Sequence, residues 1–172
     1  AVDPGALRLA TLAIAAIVFV EIHSLFPKGS EPRTAVVGVH IQLGLLLFGL
    51  TWLRLAWRSA NPPPAIVPAP QEWEARLATV MHVAFYAAMI ALPLLGVAMA
   101  QAGGKPLAFL GMPLPLFLAE DKALGKTLKE AHEIIGNVTI GLIAAHAAAA
   151  FWHHFVKRDD PLARMLPAWL VA

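Results

Sequence analysis

The chain has 172 residues, of which 59% are apolar or aromatic and only 14% are charged. A soluble domain is about 45–50% apolar and about 25% charged, so this composition excludes an ordinary soluble enzyme and a disordered chain. The net charge of +2, without any Lys/Arg-rich stretch, argues against a nucleic-acid partner. The absence of cysteine excludes disulfides and iron–sulfur ligation. The composition therefore predicts a polytopic membrane protein.

Four stretches are long and apolar enough to cross about 30 Å of hydrocarbon as helices. These predicted spans cover about 6–25, 35–57, 77–102 and 134–152. The short connections between successive spans favour antiparallel neighbours. We therefore expect one all-α integral membrane domain, an up-down four-helix bundle in the lipid bilayer. The second half of the longest connection, 118–133, is interpreted as a short amphipathic helix lying at the interface.

The orientation of the bundle is predicted from its lysines and arginines. Seven stand on the side of the termini and the proline-rich connection 58–76, and six stand on the side of connections 26–34 and 103–131. This small excess favours both termini in the cytoplasm. We call the side of the termini the inner side and the opposite side the outer side.

Four of the seven histidines stand within or at the start of predicted spans, at positions 40, 82, 132 and 146. Ionisable groups there are costly, so each indicates a function. His132 and His146 are 14 residues apart, which places them on nearly one helix face and about 21 Å apart along the axis. Because the helices alternate in direction, His40 falls level with His132, and His82 falls close to the depth of His146. The histidines thus form two layers of two.

Paired imidazoles from opposing helices in apolar surroundings suit a six-coordinate b-type haem. Covalent attachment is excluded because the chain has no C-x-x-C-H motif. Gly44 follows His40 by four residues and Gly136 follows His132 by four, so each leaves room for a flat ring one turn along the same face. Arg54, near the inner layer, is a candidate partner for a haem propionate.

A different interpretation remains open for each of these side chains. A lone histidine in a span more often bridges helices by a hydrogen bond than binds a cofactor. On that interpretation the chain is a haem-free membrane accessory or a metal-binding protein. His23, His153 and His154 stand at span ends, and we expect them to be interfacial rather than ligands.

Several segments together resemble the bacterial cytochrome b561 family, whose members are four-helix, dihaem, quinone-linked proteins of the inner membrane. The similarity runs from about Phe26 to the C-terminus. The segments that carry it are 39–44 (VHIQLG), 82–86 (HVAFY), 91–96 (ALPLLG), 132–133 (HE), 142–150 (LIAAHAAAA) and 153–155 (HHF).

The resemblance implies that His40 and His132 ligate an outer haem b and that His146 ligates one face of an inner haem b. The family's remaining ligand is a histidine of the first helix, and the corresponding region, 6–10, reads ALRLA here. Four explanations stay open. The inner haem takes His82 instead, it is five-coordinate, it is absent, or the N-terminal residues are not the native ones. The expected cofactor content is therefore one or two haems b.

The resemblance also implies a function in the bacterial inner membrane. A b-type cytochrome would transfer electrons across the membrane between ubiquinone and a second redox partner. Family members of this size include superoxide oxidases, which pass electrons from periplasmic superoxide to ubiquinone, so an oxidoreductase activity of that type is one expectation. The alternative is a haem b anchor subunit that docks a redox protein within a larger dehydrogenase or respiratory complex. Six cations of the outer side are candidates for drawing in an anionic substrate: Lys28, Arg33, Lys105, Lys122, Lys126 and Lys129.

Overall fold

A computed structural model describes residues 30–62 and 70–157 of the chain. It contains three long helices, α1 (Glu31–Ala60), α2 (Glu72–Ala102) and α3 (Lys122–Trp152). Each is long and apolar enough to cross a membrane. They contain the second, third and fourth predicted spans, which confirms the helical membrane class for this part of the chain. The predicted first span, 6–25, lies outside the described residues.

The starts of α2 and α3 follow from their capping residues. A capping box opens α2, in which the side chains of Gln71 and Glu74 each accept a backbone N–H of the other residue. At the start of α3 the Asp121 carboxylate accepts the N–H groups of Ala123 and Leu124, both at 3.0 Å. These side chains satisfy amide groups that a helix leaves unpaired at its first turn.

The structure corrects the interpretation of 118–133 as a separate interfacial helix. The chain is not helical from Leu118 to Asp121, and from Lys122 onward it belongs to α3, which runs without a break into the apolar span. Ion pairs one turn apart stabilise this polar extension: the nitrogen–oxygen distance is 4.0 Å for Lys126 and Glu130 and 2.6 Å for Lys129 and Glu133. The cap at Asp121 fixes where the helix begins, and nothing after it interrupts the backbone hydrogen bonds.

A tight β-hairpin stands in the outer connection between α2 and α3. Strand β1 (Ala108–Phe109) pairs antiparallel with β2 (Met112–Pro113). The turn residues Leu110 and Gly111 both have positive φ, 50° and 83°. Two positive φ values are typical of the two-residue turn whose twist matches antiparallel strands. Glycine accepts this conformation readily, whereas Leu110 is strained in it.

Hydrogen bonds at the two ends of the bundle show that α2 and α3 run antiparallel. At the outer end the Asp121 N–H donates to the carbonyl of Ala102, at 2.9 Å. At the inner end a π-helical turn, His153–Lys157, follows α3, and the Lys157 ammonium donates to the carboxylate of Glu74. The first turn of α2 therefore lies beside the last turn of α3.

Helix α2 contacts both α1 and α3, and small side chains contribute to these contacts. Ala88 and Ala102 of α2 and Ala150 of α3 are buried. Gly125 lies so close to the end of α2 that an added Cβ would stand 3.1 Å from the backbone nitrogen of Gly103. Close approach through small residues is how helices associate where lipid removes the hydrophobic driving force. Large apolar side chains instead face outward, as expected for lipid contact: Val80, Val83, Leu94, Ile134 and Val138.

Candidate functional site

Two histidines from separate helices meet near the outer end of the bundle. The rings of His40 on α1 and His132 on α3 have their centroids 6.1 Å apart, with an interplanar angle of 72°. Both residues are half-buried. We call them the outer pair. The sequence predicted that they share one depth, and the structure places them in contact.

A second pair lies further along α3 towards the inner end. The rings of His82 on α2 and His146 on α3 have their centroids 6.0 Å apart, at 65° to each other. The Phe85 ring stands edge-on to His146, with a centroid distance of 5.4 Å. We call His82 and His146 the inner pair. The predicted arrangement of two layers with two histidines each is therefore present in the described residues.

The spacing within each pair suits two imidazoles on opposite sides of one metal ion. A metal–imidazole bond is about 2 Å long and the ring centre lies about 1 Å behind the bonding nitrogen, which together place the two ring centres about 6 Å apart. The observed values are 6.1 Å and 6.0 Å. Within the described residues no three or more His, Cys, Asp or Glu side chains come together as a metal site. Two protein ligands suffice for haem, because the porphyrin supplies the other four.

The His132 ring is positioned by a glycine of α2. A Cβ added at Gly96 would stand 3.5 Å from Cε1 and 3.8 Å from Nδ1 of that ring. The Nδ1 atom is buried and has no hydrogen-bond partner among the described residues. This side of the ring faces α2 near the carbonyl of Leu92, which leaves Nε2 as the nitrogen available for binding a further group.

Two other glycines leave open space beside the outer pair, as the sequence predicted. A Cβ added at Gly44 on α1 or at Gly136 on α3 would meet nothing within 4 Å among atoms outside its own helix backbone. Each follows its histidine by four residues and therefore lies one turn along the same face. The residues around the outer pair thus fit a flat ring as well as a metal ion.

Cationic groups lie beside the inner pair. The Arg54 guanidinium stands over the Tyr86 ring, with its Cζ 5.7 Å from the ring centroid. Arg54 and Arg58 both lie within electrostatic range of His82. The Tyr86 hydroxyl is buried and has no hydrogen-bond partner in the described part of the chain. Arg54 therefore lies where the sequence predicted a propionate partner.

Tyr86 was not among the predicted site residues, although a signal for it exists. It is the only tyrosine of the chain, it stands inside an apolar span, and it follows His82 by four residues. A hydroxyl in that position needs a partner when buried.

A glutamine clamp between α1 and the hairpin was also not predicted. The Gln42 amide donates to the carbonyl of Ala108 at 2.8 Å, and the Leu110 N–H donates to the Gln42 carbonyl at 2.9 Å. The second bond is made to the strained turn residue, which helps to hold its left-handed conformation. Because Gln42 stands two residues after His40, the hairpin is fixed to the same helix turn that carries one member of the outer pair.

A second glutamine holds the other end of the same connection. The Gln101 amide donates to the carbonyl of Pro115 at 2.8 Å, and its carbonyl accepts the N–H of Phe117 at 3.0 Å. Gln101 is buried. The outer connection is thus fixed to α1 and to α2 through side-chain amides.

The other histidines occupy the positions predicted for them as far as the structure describes them. His153 and His154 lie in the turn after α3, where the His154 ring packs edge-on against Phe155 at 4.8 Å. His23 lies outside the described residues.

Apolar helices of membrane-crossing length that bring histidines together in pairs are typical of a b-type membrane cytochrome. The sequence pattern of the family described as prokaryotic cytochrome b561 matches residues 8–168. The chain is 36% identical to cytochrome b561 homolog 1 of Escherichia coli (strain K12) over 159 residues, which are 91% of this chain and 90% of the relative. It is 31% identical to the probable superoxide oxidase CybB of Yersinia pestis over 156 residues, 91% of this chain and 88% of that protein. The chain therefore belongs to the prokaryotic cytochrome b561 family.

Membership of this family confirms the predicted class of function. The chain is a b-type membrane cytochrome of electron transfer, a helical, multi-pass protein of the bacterial inner membrane that uses haem b. The direction in which the termini point stays a prediction.

Proposed function

We propose that the chain is an oxidoreductase that moves electrons from superoxide on the outer side to ubiquinone in the membrane. Two superoxide anions each lose one electron and leave as dioxygen, and one ubiquinone takes both electrons and two protons to become ubiquinol. The similarity to the probable superoxide oxidase of Yersinia pestis supports this substrate pair. In this proposal the first span, about 6–25, completes an up-down four-helix bundle.

The proposal depends on the outer pair. His40 and His132 would hold one haem b through a ring nitrogen each, and their centroid distance of 6.1 Å is the observation that carries this assignment. Gly44 and Gly136 leave the faces beside the two rings open. His146 would serve a second haem b in the inner layer, with Arg54 placed to neutralise a propionate. When bound, haem supplies a one-electron carrier that superoxide and quinone chemistry both require.

Two histidines of α3 place the outer and inner layers at different depths of the membrane. His132 and His146 project from nearly one face of α3 at depths that differ by about 21 Å. The α3 residues between them, 134–145, are mostly apolar, and in a bilayer they would help to exclude water from the region between the layers. The outer pair is therefore suited to a partner at the outer surface, and the inner layer to one nearer the opposite surface.

Charge contributes little to substrate capture in this proposal. Lys122, Lys126 and Lys129 each lie within 4.0 Å of a glutamate oxygen, so their fields are largely cancelled. Lys105 forms no ion pair with any described residue. These four of the six candidate cations would therefore attract an approaching anion only weakly.

A second candidate function is that of a haem b anchor subunit for a redox protein or a larger respiratory complex. The outer connection favours this because it is held in place yet exposes large apolar side chains. Leu110, Leu116 and Phe117 are between 72% and 75% exposed, and large apolar side chains exposed on one connection are typical of a contact surface. Co-purification of a stoichiometric partner after mild solubilisation would favour this candidate.

The experiment is a comparison of the purified wild-type protein with His40→Ala, with His154→Ala as the matched control. Superoxide is supplied to protein reconstituted with ubiquinone, and ubiquinol formation is measured together with the reduced haem spectrum. We expect the wild type and His154→Ala to form ubiquinol and His40→Ala to lose at least tenfold of the rate. A haem-containing wild type that forms no ubiquinol would refute the substrate pair. A wild type without a b-haem spectrum would refute the whole proposal.

A further inference from the structure

The inner pair has the same geometry as the outer pair, although its two histidines come from a different combination of helices. The outer pair joins α1 to α3, whereas the inner pair joins α2 to α3. The centroid distances are 6.1 Å and 6.0 Å, and the interplanar angles are 72° and 65°. If the ring spacing of the outer pair indicates two imidazoles bound to one metal ion, the equal spacing of the inner pair indicates the same.

From this parallel we propose that His82 would hold the inner haem together with His146. The proposal rests on the function proposed above and adds that α2 provides the second inner ligand. His82 stands against His146 with the ring spacing that bis-imidazole ligation requires.

The polar groups around the inner pair match the rest of a haem b. A haem b carries two propionates, and two guanidiniums, those of Arg54 and Arg58, lie within electrostatic range of His82. The Tyr86 hydroxyl, one turn after His82, is buried without a hydrogen-bond partner in the described part of the chain. A carboxylate would satisfy this donor and be neutralised by the arginines. Imidazoles that only bridged the helices would need none of these groups.

The sequence next to His146 leaves room for a flat ring. The four residues that follow it, 147–150, are all alanine, and the two that precede it, 144–145, are alanine as well. Small side chains on both sides of a ligand allow a porphyrin to lie against the helix backbone. Phe85, edge-on to His146 at 5.4 Å, would give the ring an aromatic border.

The test counts haems and identifies their ligands in the purified protein. Haem b per chain is measured by pyridine haemochrome, and low-spin bis-histidine signals by electron paramagnetic resonance. The variants are His82→Ala, His82→Met and His154→Ala, the last being a histidine outside both pairs. We expect about two haems in the wild type and in His154→Ala, and about one in His82→Ala, in which one of the two low-spin signals is lost. His82→Met should regain the second haem with a raised midpoint potential, since methionine can replace an axial histidine.

Three outcomes would overturn the assignment, and each differs from a failure of the proposed function. His82→Ala could retain two low-spin bis-histidine haems, which would place the second inner ligand elsewhere. The wild type could hold one haem that His82→Ala leaves intact, which would mean that the inner pair binds no haem. His82→Ala could lose both haems while His82→Met restores neither, which would indicate a structural role for this side chain. In all three cases the wild type still contains haem at the outer pair, so the function proposed above is tested separately.

Discussion

The contact between Gly96 and His132 allows a graded test of the outer pair. Alanine at position 96 would place its Cβ 3.5 Å from the nearest ring atom, which is ordinary van der Waals contact. Valine adds two carbons about 1.5 Å further out, and a helix leaves it one strongly preferred rotamer, so it cannot swing aside. We therefore expect Gly96→Ala to be tolerated and Gly96→Val to push the His132 ring out of place.

The size of the effect follows from the cost of overpacking. Extra carbons in a packed contact cost about 1–3 kcal/mol, and about 1.4 kcal/mol corresponds to a tenfold change in an equilibrium constant. The native placement of the His132 ring should thus become about 5- to 150-fold less favourable in Gly96→Val. Haem affinity at the outer pair should fall by a similar factor, because one of its two ligands is displaced.

The assay is a haem titration of the variants, followed by a reduced absorbance spectrum of the saturated protein. Gly141→Val is the matched control, because Gly141 is exposed, meets nothing within 4 Å and points about 180° away from His132 on α3. The control should bind haem like the wild type. Unchanged haem affinity in Gly96→Val, or an equal loss in Gly141→Val, would refute the reasoning.

Three further predictions concern the outer end of the bundle. Gln42→Ala removes two hydrogen bonds, which contribute about 0.5–1.5 kcal/mol each. Hydrogen exchange of the Leu110 amide should therefore become at least severalfold faster, and an unchanged exchange rate would show that the clamp does not hold the turn. Gly125→Ala would place its Cβ 3.1 Å from the Gly103 backbone, and such overpacking costs about 1–3 kcal/mol. Because this cost exceeds the helix-propensity gain of up to about 1 kcal/mol, the thermal stability should fall. A rise in thermal stability would contradict the packing argument. Lys105→Gln should change the rate of superoxide-dependent ubiquinol formation by less than twofold at low ionic strength, and a tenfold loss would instead show that this cation steers the substrate.

The layers of histidines could be predicted because they depend only on helix geometry. Counting residues along regular helices gives the depth and the face of each side chain, and alternating directions relate one helix to the next. That reasoning placed His40 level with His132 and His82 near His146, and both pairs are in contact in the structure. The same counting placed Arg54 at the inner layer.

The start of α3 and the hairpin could not be predicted in the same way. The segment before residue 134 is polar enough to read as a separate interfacial helix, and only the cap at Asp121 shows that one helix begins there and continues. The clamp at Gln42 joins residues 66 and 68 positions apart. Contacts over such distances depend on how the helices are placed in space, which local patterns do not encode.

The clamp also has a consequence for how the outer surface can vary. Gln42 recognises only main-chain atoms of the hairpin, the carbonyl of Ala108 and the amide of Leu110. The attachment itself therefore does not depend on hairpin side chains outside the turn at Leu110 and Gly111. Designed variants can therefore exchange those side chains, and with them the chemistry of the outer surface, while the hairpin that presents them keeps its position.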